Sequence, residues 1–405
     1  MMLNTIDLFA GCGGLTDGFK QSGEFKLLAG VEWDKHAVHT LRQRLSTRWN
    51  YSESNSSMLH FDIQRTDELI FGYDNDPEYG SSTGLNKLVG SNKVDAVIGG
   101  PPCQAYSIAG RIRDENGMHD DYRNFLFESY MKVVSHFKPQ VCIFENVQGM
   151  LSAAPGGVSI VERVTKAFND AGYYISTNLK RDALFDTSEF GVPQKRLRVI
   201  IVALRKDAFS DCENKVKQFY KKLNSYKVDI KATVDEAIGD LPQIFPIENA
   251  VARTSHKMEY SKQKVLNHEP RFHNVRDIEI FSLLAEDIRS GKNEYVHSDA
   301  LKKLYTEKTG KSSSVHKYHV LRPNLPSNTI PAHLYKDGLR HIHPDPEQSR
   351  SITVREAARL QTFADDFEFC AAQGANYKMI GNAVPPLFAK YVALAVNELL
   401  ITEDV

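Results

Sequence analysis

Over residues 1–205 short apolar runs alternate with segments whose apolar positions recur at helical spacing. Thr5–Phe9 reads as a strand, followed by a glycine cluster and a helix from about Leu15. Lys26–Val31 is a second strand, and Val94–Ile98 a third that runs into Gly99-Gly100-Pro101-Pro102. Between Asn124 and Phe137, the residues Phe125, Leu126, Tyr130, Val133, Val134 and Phe137 recur at helical spacing. Val141–Phe144 reads as a strand halting at Glu145-Asn146, Val158–Ala171 as a helix with Ile160, Val161, Val164 and Phe168 inward, and Arg198–Leu204 as a further strand. Strands separated by helices predict an α/β fold, a doubly wound and mostly parallel sheet. Thr47–Ser57 is polar and reads as a surface insertion. The pattern weakens over residues 206–350, returns as a helix at Val354–Gln361 and closes with a helix in Ala383–Leu400 after Pro385-Pro386. A second, smaller domain is therefore expected over 206–370, with 1–205 and 371–405 forming the first.

The length of 405 residues suits two cores. An apolar share of 41% with 25% charged residues is the balance of a soluble globular chain, and no uncharged apolar run is long enough to span a membrane. The N-terminus lacks the pattern of a secretory leader. Five cysteines, Cys12, Cys103, Cys142, Cys212 and Cys370, are odd in number and include no C-x-x-C pair, which disfavours a disulfide framework and a zinc site and favours a cytoplasmic location. The net charge of −1 hides an asymmetry: residues 206–350 carry about +4, the remainder about −5, and nine of the fourteen histidines lie in the middle segment.

Two groups of residues carry candidate chemistry. Asp7-Leu-Phe-Ala-Gly11-Cys-Gly13-Gly14 falls at a strand-to-helix turn, where glycines let backbone N–H groups approach a ligand. A tight structural turn or a dinucleotide site would look much the same, although the full G-x-G-x-x-G spacing is absent. Glu32, at the next strand end, suits ribose hydroxyls, and Trp33 could stack on adenine or be a core residue. Asp62 could accept from an adenine amino group. In the second group, Gly100-Pro101-Pro102-Cys103 closes the third strand with a rigid backbone that would aim one thiol, whereas Cys12, Cys142, Cys212 and Cys370 read as inert core. Glu145 follows the next strand, and Arg196 and Arg198 alternate onto one strand face. A thiol, a carboxyl and arginines at the mouth of one sheet suit nucleophilic catalysis.

In motif order, the chain resembles the DNA (cytosine-5)-methyltransferases, especially the bacterial modification enzymes. The resemblance covers most of the chain. It rests on the Asp7–Gly14 turn, Gly100-Pro-Pro-Cys-Gln, Asp121-Tyr-Arg123-Asn-Phe-Leu126-Phe, Glu145-Asn-Val, Gln194-Lys-Arg-Leu-Arg, the run from Arg350 through Arg355-Glu356 to Gln361-Thr-Phe, and Gly381-Asn382-Ala-Val-Pro-Pro. Two departures stand out: Phe363 is followed by Ala364 where the family has proline, and Met379 stands where it often has Gln.

The resemblance implies the S-adenosylmethionine-dependent methyltransferase fold, S-adenosyl-L-methionine as cofactor and double-stranded DNA as substrate. It casts Cys103 as the nucleophile on C6 of a flipped-out cytosine. Glu145 would act at N3 and N4, Arg198 at O2, and Arg196 as support. Asp7, Phe9, Gly11, Gly13 and Gly14 would wrap the donor, Glu32 its ribose, Trp33 the adenine face, and Asp62 and Ile63 the adenine edge. Gly100, Pro102, Leu126 and Asn382 would complete that pocket. Residues 104–121 would form a mobile loop in which Ser107 meets a phosphate. The small domain would read the target through major-groove base edges, with Thr329 against the backbone near the flipped nucleotide. A cognate restriction endonuclease would be a functional partner, and a monomer suffices for this chemistry. A tRNA cytosine-5 methyltransferase of the same family shares these motifs and is the main alternative; a non-catalytic descendant and a nicotinamide oxidoreductase are weaker ones.

Overall fold

A computed structural model describes residues 2–52, 54–101, 126–251, 253–260, 264–336 and 338–401. Contacts divide the chain into two compact units. The first comprises Met1–Phe190, Arg196–Asp229 and Ala383–Val405; the second comprises Gly191–Lys195 and Ile230–Asn382. Residues 206–229 thus fall in the first unit and 371–382 in the second.

The first unit is built on an eight-stranded sheet. In chain order its strands are β1 (Leu3–Leu8), β2 (Phe25–Glu32) and β3 (Met58–His60); then, after a separate hairpin of β4 (Tyr73–Asp76) and β5 (Gly80–Ser82), β6 (Ala96–Gly99), β7 (Val141–Val147), β8 (Tyr173–Tyr174), β9 (Leu184–Asp186) and β10 (Leu197–Arg205). The spatial order is β3-β2-β1-β6-β7-β10-β8, with β9 also paired to β10. The pairs from β3 through β7 are parallel, and β10 is antiparallel to β7. The run Val199–Leu204 is buried throughout, as expected of a strand covered on both faces. The sheet is therefore doubly wound and mostly parallel, as the alternation predicts.

The order of strands reverses at β1, which has β2 on one side and β6 on the other, both parallel to it. Open α/β sheets bind ligands in the crevice beyond the carboxyl ends at such a switch point. The register brings those ends level: Leu8 pairs with both Val31 and Gly99, Gly99 with Phe144, and Glu32 with His60.

Helix α1 (Gly14–Gln21) follows β1, and α2 (Lys35–Trp49) follows β2. The Asp34 carboxylate caps α2 by accepting from the His36 and Ala37 amides. Later helices include α3 (Leu126–Phe137), α4 (Ile160–Asp170) and α5 (Cys212–Asn224). In α4, Ile160, Val164 and Phe168 are buried while Val161 is only partly so. The polar stretch Thr47–Ser57 is more than a surface insertion. Helix α2 runs into it, Trp49 Nε1 donates to Asp17 Oδ1 at 2.9 Å, and the Tyr51 hydroxyl accepts from the Leu27 amide at 2.9 Å. Strand β7 also continues through Glu145 to Val147, because Ile200, Val199 and Arg198 of β10 pair with Glu145, Asn146 and Val147.

In the second unit, β11 (Ile244–Val251) and β12 (Thr254–Met258) form a hairpin. The weakly periodic segment holds two helices, α6 (Val275–Arg289) and α7 (Ser298–Thr309). Ile280, Phe281, Leu284 and Ala285 of α6 pack with Leu301 and Leu304 of α7 and with Tyr318, Val320 and Ile342. Helix α8 (Val354–Leu360) starts with a capping box between Thr353 and Glu356. The Glu356 carboxylate also takes a bidentate pair from Arg350, both bonds at 2.7 Å. Burial opposes ionisation of Glu356, and the Arg350 guanidinium overcomes it and holds the acid well below its ordinary range. Arg355, fully buried, donates to the carbonyls of Leu266, Ala364 and Phe367. The Arg350–Gln361 run therefore organises the second unit. Helix α9 (Gln373–Asn382) ends that unit, and α10 (Pro386–Ile401) belongs to the first.

The start of α10 packs against α1. A Cβ on Gly14 would lie 2.2 Å from the Val384 carbonyl oxygen, and one on Gly18 would lie 2.4 Å from Ala389 Cβ. Glycine at these two positions, one helical turn apart, is what allows the chain's end to dock on the first helix.

Candidate active site

The turn after β1 is shaped for close approach. Phe9, Gly11 and Gly13 have φ of 62, 56 and 98°. The Glu32 carboxylate anchors the turn from the neighbouring strand: Oε2 accepts from the Gly11 amide at 2.8 Å and Oε1 from the Asp34 amide at 2.7 Å. Burial raises the Glu32 pKa, and these amide bonds oppose the rise. A Cβ on Gly11 would meet nothing within 4 Å, so the turn faces open space.

Asp7, the seventh residue of the chain, is fully buried at the end of β1. Its Oδ2 accepts from the Thr16 hydroxyl at 2.5 Å, while Oδ1 has no partner among the described residues. Burial pushes its pKa up to about 7; the Thr16 bond opposes the shift and the Glu32 charge adds to it. A buried acceptor without a donor is costly in isolation and suits a ligand that brings an N–H or ammonium group.

Trp33 is 60% exposed, so it is not a core tryptophan. Its backbone carbonyl lies 3.0 Å from His60 Nε2. Asp62 and Ile63 follow β3. Asp62 is half-buried and accepts from the Gln64 amide, whereas Ile63 is buried and its carbonyl accepts from Thr66. Leu126, at the start of the described part of α3, is buried.

Beyond β6 and β7 lies a second cluster. A Cβ on Gly100 would sit 2.5 Å from Glu145 Oε2. Asn146 Nδ2 donates to the Pro101 carbonyl at 3.4 Å. The backbone leading to Pro102 and Cys103 is thus laid against the Glu145-Asn146 pair. Glu145 Oε1 lies 2.7 Å from Arg198 Nε, with both residues buried. Burial raises the Glu145 pKa while Arg198 and then Arg196 pull it down. Arg196 is 1% exposed and donates from Nη2 to the Ala383 carbonyl at 2.9 Å. These arginines are interior charges, not a solvated strand edge. The result is a buried carboxyl, its pKa raised by burial, beside two buried guanidiniums, a group able to hold and stabilise a polar heterocycle.

Pro102, Cys103, Ser107 and the 104–121 loop lie outside the described residues. Cys12 and Cys142 are buried, and burial drives both thiols far above their ordinary range, which makes them poor nucleophiles. Cys212 and Cys370 are only partly buried, not core.

Thr329 and Asn382 belong to the second unit. Thr329 is exposed, and its hydroxyl donates to the Lys195 carbonyl at 2.7 Å. Gln194 holds the same loop: its Oε1 accepts from the Ile330 amide and its Nε2 donates to the Leu360 carbonyl. Asn382 is exposed at the end of α9. Sequence reasoning missed Thr16 as the partner of Asp7, and Asn146 as the residue holding Pro101.

A doubly wound sheet with a carboxylate-anchored glycine turn at its switch point and a buried acid–arginine pair between β7 and β10 is the frame of a methyltransferase of the cytosine type. The chain belongs to the C-5 cytosine-specific DNA methylase family, whose model matches residues 3–398. It is a DNA (cytosine-5-)-methyltransferase. Among curated relatives it is 32% identical to the type II methyltransferase M.Bpa9945I of Bacillus paralicheniformis, over 98% of each chain. It is 30% identical to M1.HphI of Haemophilus parahaemolyticus, over 100% of this chain and 89% of that one. Among solved structures, the Dnmt2 methyltransferase of S. pombe superposes with a TM-score of 0.52 at 14% identity over 100% of both chains, a likeness of fold.

Proposed function

We propose that this enzyme methylates C5 of a flipped-out cytosine in a specific duplex sequence, with Cys103 as a transient covalent nucleophile and S-adenosyl-L-methionine as donor. The observation that carries the reading is the placement of Gly100-Pro101, two residues before Pro102-Cys103, against the buried Glu145–Arg198 pair. The Cys103 thiolate adds to C6 as Glu145 gives a proton to N3. The Arg198 guanidinium holds O2, and the field of Arg196 and Arg198 favours the thiolate. Carbon 5, made electron-rich by that addition, takes the methyl group; the donor supplies it as an electrophile on sulfonium. A base, water in the family's chemistry, then takes the C5 proton as Glu145 recovers its proton from N3. The C6–S bond breaks, Cys103 leaves as the thiolate and the ring is restored.

Asp7, Phe9, Gly11, Gly13 and Gly14 line the donor's turn, with Glu32 for the ribose hydroxyls. Trp33, Asp62 and Ile63 surround the adenine, and Gly100, Pro102 and Leu126 complete the first unit's share of the pocket. The unpartnered Asp7 Oδ1 and the open space at Gly11 are consistent with a ligand there.

The second unit reads the DNA, with Thr329 at the backbone and Ser107 contributing from the catalytic loop. A cavity of about 530 Å³ in that unit, lined by Arg271, Lys311, Lys336, Tyr335 and the Arg276–Asp277 ion pair, supports a polyanionic partner through its remaining cations. A restriction–modification role with a cognate endonuclease, and action as a cytoplasmic monomer, complete the proposal.

The test uses DNA carrying 5-fluorocytosine. Fluorine blocks the final elimination, so active enzyme should form a stable adduct that Cys103→Ser abolishes. Cys103→Ser should also lower turnover by several orders of magnitude with donor affinity nearly intact. Full activity in that variant would refute the covalent route.

A further inference from the structure

We infer that Gln194 is a positioning residue for DNA binding: it fixes the Ser327–Ile330 segment, and Thr329 with it, on the stretch of chain that runs directly into Arg196. This rests on the assignment of Thr329 to the DNA backbone.

The two arginines of the Gln194-Lys-Arg-Leu-Arg run stand with Glu145, whereas the glutamine has no part in that chemistry. Its side chain is fully buried, and each end of the amide meets backbone. Oε1 accepts from the Ile330 amide at 3.0 Å, and Nε2 donates to the Leu360 carbonyl at 3.3 Å. One partner is a donor and the other an acceptor, so the orientation of the amide is fixed. Leu360 is the last residue of α8, where a helix supplies no donor of its own for the carbonyl. A shorter or apolar side chain at this position would leave both backbone groups buried and unbonded.

The backbone on either side of Gln194 grips the same segment. Gln194 and Ser327 face each other in a short parallel bridge. The Ser327 amide donates to the Pro193 carbonyl at 3.0 Å, and the Lys195 amide donates to the Ser327 carbonyl at 2.8 Å. Two residues on, the Thr329 hydroxyl donates to the Lys195 carbonyl at 2.7 Å. From the far side, a Cβ on Gly381 would lie 2.4 Å from the Pro331 carbonyl oxygen, so α9 closes on the residue after Ile330. Gln361 Nε2 donates to the Ile380 carbonyl at 2.8 Å, which ties α9 to the end of α8 that Gln194 holds.

The outcome is an exposed Thr329 presented between two buried anchors, Ser327 and Ile330. Lys195 is joined to Arg196 by a single peptide bond, so little slack separates Thr329 from the arginine run. Holding the segment before DNA arrives removes an ordering cost from binding.

The test compares the full-length enzyme with Gln194→Met, Gln194→Glu and Thr329→Ala. Methionine matches glutamine in length and removes both bonds; glutamate keeps the acceptor for the Ile330 amide. Hydrogen exchange reports protection of the Ile330 amide, and protection of the α6 amides reports the fold. Affinity is measured for S-adenosylmethionine without DNA, and for a duplex carrying the site that bisulfite sequencing of host DNA identifies. Gln194→Met should lose the Ile330 protection and weaken the duplex by about fivefold to tenfold, with donor affinity and α6 protection unchanged. Gln194→Glu should keep both the protection and most of the duplex affinity. Thr329→Ala should weaken the duplex. If Thr329→Ala binds the duplex as the parent does, the DNA assignment of this segment fails and the inference falls with it. If Thr329→Ala weakens the duplex, the glutamine variants decide the positioning role alone. Either of them, folded by the α6 criterion, overturns it by losing Ile330 protection while binding the duplex as tightly as the parent. Weaker duplex binding with Ile330 protection intact overturns it too.

Discussion

Glu145 Oε1 and Arg198 Nε meet at 2.7 Å in the buried end of an antiparallel pair, where Arg198 of β10 stands opposite Val147 of β7. The contact balances two opposed demands. Burial alone would keep Glu145 neutral; the guanidinium favours its anion. A carboxyl poised between those limits can give up a proton during attack and recover it afterwards. The same arginine is oriented by its own strand, since Nη1 donates to the Leu197 carbonyl at 2.8 Å.

Glu145→Gln is expected to lower the rate of the chemical step by about 10² to 10⁴. The amide retains the shape and offers N–H towards N3, but it cannot transfer a proton, and it leaves Arg198 buried without its counter-ion. Single-turnover methylation with saturating DNA and donor is the measurement. A rate within twofold of the parent would remove Glu145 from the proton-transfer role. Because burial raises the Glu145 pKa, the parent should lose activity as pH rises through that pKa, and the variant should lack this alkaline limb.

Gly100→Ala tests the close approach at the strand end. The added Cβ would lie 2.5 Å from Glu145 Oε2, so either the carboxyl or the backbone leading to Cys103 must move. Displacements of this size at a reacting centre cost about 10²-fold. The expected result is a fall in kcat of that order with overall unfolding changed by no more than about 1–3 kcal/mol. Equal losses in activity and stability would mean that the glycine matters only for packing.

Much of the first unit was legible because buried parallel strands leave continuous apolar runs and because glycine, proline and acidic residues punctuate their ends. Val141–Phe144 is an example of the first and Gly99–Pro102 of the second. The end of β7 was misplaced at Phe144 because Glu145 and Asn146 look like terminators, yet antiparallel pairing with β10 carries the strand to Val147. Helices α6 and α7 went unread because α6 mixes Asp277, Glu279, Glu286 and Asp287 with its apolar positions, and Asp287 is buried as an acceptor for the Glu294 and Tyr295 amides. In the site, residue identities were readable, but partners were not. Nothing local to Asp7 announces Thr16, and the Gly100–Glu145 contact joins residues brought together only by strand pairing.

The second unit should lose stability as the medium turns acid. His273, His341 and His343 are buried, and burial is the main reason their pKa values fall to about 3; His256 and His268 move the same way. Two of them act as acceptors and must be neutral: His273 Nε2 takes the Ser351 amide and His343 Nδ1 the Asp345 amide. An unfolded histidine binds its proton near pH 6.5, whereas the folded ones stay neutral down to about 3. The unfolded chain thus holds more protons across that window, and stability falls as pH drops below about 6.5. Glu356, held low, contributes its share until far more acid conditions. Hydrogen exchange of the α6 amides at pH 7.5 and 5, corrected for intrinsic rates, should show weaker protection at pH 5. Equal protection would contradict the assignment of neutral buried imidazoles.

If the basic cavity of the second unit meets DNA, its surface cations should appear in the salt dependence of binding. Lys311 and Lys336 line the cavity beside Arg271. Arg271 is committed to structure: its Nη1 donates to the Leu334 carbonyl at 2.9 Å, and its guanidinium lies over the Tyr377 ring at 4.7 Å. The two lysines are therefore the better probes. Each phosphate neutralised releases counter-ions and adds about 0.9 to the slope of log K against log salt. Lys311→Gln with Lys336→Gln should lower that slope by about 1 to 2 and weaken specific and non-specific DNA alike, because a phosphate contact positions without reading sequence. Donor affinity should not change. Fluorescence anisotropy with a labelled duplex from 50 to 200 mM salt measures both quantities. An unaltered slope would place the DNA path elsewhere on the second unit, and loss confined to the specific site would mark these lysines as base readers.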